Sequence, residues 1–194
     1  MANYQTKHGF NDDEVVSALQ KDIRRGLEKN ALYWAFEICD GGEHKSGFSR
    51  LRNRLIIITY EDIGMGEPGT VLEVSNAVED MENLWKAKNS GWKIVLAYII
   101  LKLCRAKKSR IADHFQNVIF DSWKNENAKE EGFEIPDYAI DMHTSKGNLR
   151  GRSKGSLKGV KHFIEEGEKL DEENQDVEDI YRKKAHEILK RNKR

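Results

Sequence analysis

The sequence predicts an all-α protein, a single helical bundle followed by a charged C-terminal extension. Three observations lead there. Only Pro68 and Pro136 interrupt the 194 residues, which leaves three long proline-free stretches. Apolar residues recur at three- and four-residue spacing, the period of one helix face. The connections between these segments are short, as between antiparallel neighbours in a bundle. Hydrophobic residues supply 38% of the chain and charged residues 34%, against about 45–50% (glycine counted) and about 25% in an average domain. The core is therefore thin and the surface heavily charged. A chain of this length still buries a core without needing a metal or disulfide.

The elements follow in order. Asn11 precedes Asp12, Asp13 and Glu14, an N-cap with first-turn acids that the helix dipole favours. Val15, Val16, Leu19, Ile23 and Leu27 continue that helix, and Gly26 and Asn30 weaken its end. Ala31–Cys39 forms a second helix with Leu32, Ala35, Phe36 and Cys39 on one face, ended by Gly41-Gly42. Phe48–Tyr60 is the third, although its Leu55–Tyr60 half has the composition of a buried strand as well. Thr70 and Glu73 form a capping box ahead of Val71, Val74, Val78, Met81 and Trp85. Gly91–Leu103 is the most apolar helix and the expected centre of the bundle. Ser109–Trp123 repeats the pattern with Ile111, Phe115, Val118 and Ile119, again read as a core stripe. Asp176 caps a last amphipathic helix through Val177, Ile180, Tyr181, Ile188 and Leu189. The expected organisation is a helical domain over 1–125 and an extension over 126–194.

Net charge is zero, with 33 basic and 33 acidic residues, but the order of the charges is uneven. Lys146, Arg150, Arg152, Lys154, Lys158 and Lys161 occur without an intervening acid, and Gly147, Gly151, Gly155 and Gly159 fall every fourth residue among them. Residues 165–179 then hold nine acids and one lysine, and residues 182–194 hold seven bases and one acid. Such blocks read as solvated or interacting segments. The glycine-rich basic stretch has the composition of a flexible arm, and its six cations make it the candidate nucleic-acid contact, through phosphates rather than bases. The competing reading is a loop that docks on the acidic block of its own chain.

Catalytic chemistry finds little support. The P-loop pattern GxxxxGK[ST] is absent, and Gly64-Met65-Gly66 lies among acids with no lysine, as in a turn. His186-Glu187 lacks the second histidine of HExxH. Asp137, Asp141 and His143 are spaced to approach one divalent ion, but no second ligand cluster joins them, so polar side chains that simply face solvent are the preferred reading. Cys39 and Cys104 stand alone on apolar faces, as buried reduced thiols. The longest apolar run, Ile94–Leu101, has eight residues, well short of the roughly 18 of a membrane span. The N-terminus has no apolar h-region. The expectation is a cytoplasmic protein with no catalytic residue, no metal and no cofactor.

The motifs become specific between Ala31-Leu32-Tyr33-Trp34 and Glu61-Asp62-Ile63-Gly64. The run Val16–Arg24, the Ala-Leu-Tyr-Trp helix, Gly41-Gly42-Glu43, the Arg50–Leu55 helix and Tyr60–Met65 resemble, in order and spacing, the region that follows the ATPase core in RarA/MgsA replication-associated recombination AAA+ ATPases. Ala97–Leu101 with Ala106-Lys107-Lys108-Ser109 is similar to a later helix and its Ala-Pro-Lys-Ser turn, with Lys107 in place of proline. The likeness spans about residues 8–120.

The resemblance implies architecture, not ATP chemistry, because the Walker motifs and arginine finger have no counterpart in these residues. It implies a collar-like bundle of the clamp-loader type through which subunits oligomerise. The expected role is a non-catalytic replication or recombination accessory, an isolated collar that assembles with itself or with a AAA+ ATPase. An inhibitor of such an ATPase, or a DNA-binding protein using 146–161, is the alternative. Trp34, Trp85 and Trp92 are the candidate oligomer-interface residues, because tryptophan is enriched in interfaces. Asp62 is expected to cap the next turn or pair with Arg50 or Arg54.

Overall fold

A computed structural model describes residues 5–124, 132–170 and 181–191. The described regular structure is helical, apart from an isolated bridge between Gln5 and Asn11. The chain divides into two compact units, Met1–Lys124 and Asn125–Arg194.

The first unit holds α1 (Asp12–Arg25), α2 (Glu28–Cys39), α3 (Lys45–Ile58), α4 (Pro68–Lys86), α5 (Trp92–Arg105) and α6 (Ile111–Lys124). The helices α1 and α2 pack as a pair, α4 and α5 as another, and α3 joins them against one core. Phe48, Leu19, Ile23, Leu51, Leu55, Met81, Leu96 and Ile100 fill it. Leu55–Ile58 is helical, and the chain then widens into a π-helical turn over Thr59–Ile63. The strand alternative fails because Leu51, Leu55 and Ile58 share one buried face, a helical spacing.

The capping box at Thr70 does not form. The helix begins two residues earlier, with Pro68 in its first turn, where a missing N–H costs nothing. Thr70 instead donates its hydroxyl to Glu67, and Glu73 pairs with Lys102 at 2.7 Å.

The second unit is more than a solvated tail. Ile140, Met142 and Val160 are buried in it, and α7 (Ser145–Leu149), α8 (Leu157–His162) and α9 (Arg182–Arg191) are formed. Residues 146–161 are thus two capped helical turns rather than a flexible arm. The Thr144 hydroxyl accepts from Gly147 N–H, and Ser156 accepts from Gly159 N–H. A side chain at either glycine would strike backbone, at Asp141 or at Ser153 and Arg152. The expected Asp176 cap and most of the acidic block lie outside the described residues.

Candidate assembly site: a buried aspartate and an uncovered helix

The motif Glu61-Asp62-Ile63-Gly64 closes the π-helical turn, where Gly64 takes a left-handed backbone (φ 38°) that side chains disfavour. Asp62 is fully buried. Its carboxylate accepts from Arg24 Nε at 2.7 Å and from Gln20 Nε2 at 2.8 Å, both on α1. Arg54 donates to the other end of Gln20, and Arg50 pairs with Asp12. The sequence reading offers Asp62 a cap on the next turn or a pair with Arg50 or Arg54. The partner is Arg24, because α1 crosses the turn at the point where the carboxylate enters the core.

The same junction sets the start of α6. Asp62 O accepts Ser109 N–H at 2.9 Å. Arg110 reaches Glu61 at 3.2 Å and also pairs with Asp113. A Cβ on Gly66 would lie 2.7 Å from Lys107 O, so only glycine lets the two connections touch. Lys107 N–H donates to Glu67 Oε2 at 3.0 Å, a bond that proline in its place would delete. Lys108 crosses back to close α5, its ammonium donating to the carbonyls of Leu103, Cys104 and Ala106 at 2.7–2.9 Å. Burial lowers the Lys108 pKa. Hydrogen bonds from the Thr70 hydroxyl and Lys107 N–H hold Glu67 below the ordinary carboxylate range.

What this junction projects is α6, and α6 departs from the core reading. None of its residues is buried. Its acidic Asp113 turns toward the body through Arg110, while Phe115 (67% exposed), Val118 (64%) and Trp123 (71%) lie in solvent. Its contacts within the unit go to the turns at Thr59–Ile63 and Gly64–Gly66. The apolar period of residues 111–123 predicts an amphipathic helix correctly, but period alone does not say which side meets the body.

The three tryptophans expected at an interface are used inside the unit. Trp92 is buried against Phe48 and Phe36, which removes it from the candidates. Trp85 stacks on Phe48 and donates its indole N–H to Gly42 O. Trp34 donates to Asp22 and packs edge-on against Phe10 and Tyr33. In the Ala31-Leu32-Tyr33-Trp34 motif, Ala31 is buried at the α1–α2 contact while Tyr33 is exposed. Trp123 is the tryptophan that reading passed over, since its spacing matches a core stripe.

In the second unit Asp137 gathers the arginines of the basic stretch. Arg152 Nη2 reaches Asp137 Oδ2 at 2.7 Å and its other amino group donates to Ile140 O, while Arg150 pairs with Asp137 Oδ1 at 2.5 Å. Lys158 donates to Arg150 O, and Lys161 lies 3.9 Å from Glu165. Among the described residues, Lys146 and Lys154 are the two of the six without a partner. The guanidinium groups stand where a cation would need to approach Asp137, and Asp141 accepts from His143 Nδ1 at 3.1 Å; the three residues do not converge as a metal site. Cys39 and Cys104 are buried thiols whose pKa values are pushed up to about 11 by desolvation.

Comparison with known proteins decides the relationship. The family model described as MgsA AAA+ ATPase C terminal matches residues 28–187. The chain belongs to this family. The match runs well past residue 120, where motif reading expected the likeness to end, and includes both capped turns of the second unit. The chain is 32% identical over 106 residues to Replication-associated recombination protein A of Bacillus subtilis (strain 168), covering 55% of this chain and 24% of that protein. It is 28% identical over 137 residues to the Haemophilus influenzae protein of that name, covering 71% of this chain and 27% of the relative. The chain thus spans about a quarter of the length of the curated relatives it matches. No helix among the described residues is long and apolar enough to cross a membrane.

Proposed function

We propose that this chain is a non-catalytic accessory of DNA replication and recombination that works by assembly, with itself or with a AAA+ ATPase. One observation carries the reading: the junction of family motifs, through buried Asp62 and the bond of its carbonyl to Ser109, holds out a helix on which Phe115, Val118 and Trp123 stay exposed. Contiguous exposed apolar surface of that kind marks an interaction site. The relatives' shared name supplies the process, and the exposed apolar helix supports a role in binding. Assistance and inhibition of an ATPase would use the same surface, by joining its collar or by capping it.

Light scattering over a concentration series tests the proposal. The expected mass rises above the 22.4 kDa of one chain, or the chain co-elutes with a RarA-type ATPase. A monomer at every concentration that also fails to bind the ATPase overturns it.

A further inference from the structure

We propose that α6 of one copy docks along the outer face of α5 of a second copy, building a head-to-tail assembly. This rests on the self-association reading above and names its two surfaces.

The helix α5 is apolar on both sides. Leu96, Ile99, Ile100 and Leu103 point into the core, yet the opposite stripe, at spacing i, i+4 and i+7, is Ile94, Tyr98 and Leu101. Ile94 is 76% and Tyr98 49% exposed. A helix hydrophobic all round is normally covered on all sides. Its own unit leaves this stripe bare, although α6 offers an equally bare one and is joined to α5 by only a short turn. The unit therefore does not satisfy one stripe with the other, and a second copy supplies both.

Length and charge fit. Each helix has 14 residues, about 21 Å at the α-helical rise. On α5, which has no acid, Lys102 pairs with Glu73 and Arg105 with Glu28, which leaves Lys93; on α6, Asp113 pairs with Arg110, which leaves Asp121 as the acid to meet it. The two stripes are unlike, so the contact is heterologous. Each copy then gives one surface and receives on the other, forming a ring where the rotation closes.

Complementation between two broken copies tests it. Tyr98→Glu spoils the receiving stripe and keeps α6; Phe115→Glu does the reverse. Both positions are exposed, and a helical spectrum unchanged from the parent certifies the fold; Ile94→Gln with Val118→Gln serves as a gentler pair. Each variant alone is expected to lose assembly by tenfold or more in midpoint concentration. Their mixture is expected to form a one-to-one dimer and nothing larger. A mixture that stays monomeric while the parent assembles overturns this pairing and leaves self-association standing. A parent that never assembles overturns both, and a variant that assembles like the parent overturns the surface it alters.

Discussion

Asp62 shows how much one residue organises. A carboxylate taken wholly out of water is tolerated only when cations and donors meet it there, and Arg24 and Gln20 do so across 38 and 42 residues of sequence. Neutralising this carboxylate costs about 1–3 kcal/mol, because its donors lose a charged acceptor while the part-exposed Arg24 keeps Glu61 at 3.6 Å. Asp62→Asn should therefore lower stability by that order in denaturant unfolding; an unchanged midpoint would show that the pair adds nothing. Gly147 is constrained differently, by contact. Gly147→Ala should cost about 1–3 kcal/mol in overpacking, read as faster proteolysis within 132–170, and a protease-resistant variant would contradict it. The tetrapeptide around Asp62 was legible as a turn with a required glycine. Its partners were not, since nothing local in Gln20 or Arg24 distinguishes them from other polar residues of an amphipathic helix.

Among the elements, legibility followed length. The helices α1 to α6 each run at least 12 residues, enough for an apolar period to repeat, and their existence could be read directly. The helices α7 and α8 have five and six residues, too few for any period, so glycine and lysine content suggested an arm. The readable signals there were Thr144 and Ser156, each three residues before a glycine whose N–H it caps. These turns depend on Asp137. The Arg152 guanidinium, aided by Arg150 and His162, holds the Asp137 carboxyl below its ordinary 3.8. A depressed folded pKa contributes stability that is complete above the unfolded value and is lost as pH falls through the folded one. The second unit should accordingly loosen in acid below about pH 3.8, seen in the methyl resonances of Met142 and Val160. Asp137→Asn should remove that part of the acid transition, and an identical transition in the variant would exclude the mechanism.

Across the whole molecule, the two units differ in what holds them. The first has a continuous core with both cysteines inside it; the second buries Ile140, Met142 and Val160 and relies on caps and a carboxylate cluster. A thiol buried with a pKa near 11 presents almost no thiolate at neutral pH. Cys39 and Cys104 should react with a thiol reagent only when the first unit opens, both at one rate that follows unfolding in denaturant. Rapid labelling of either in native buffer would show that α2 or α5 opens locally.

The four tryptophans give the molecule a spectroscopic consequence. Trp34, Trp85 and Trp92 are held within the bundle, and Trp123 stands in solvent near the end of α6, stacked on Phe120. Emission from the buried Trp92 is set by folding. Emission from Trp123 is set by whatever covers α6, so its blue shift on dilution series run in reverse, from nanomolar upward, would time the arrival of a neighbour without any added dye.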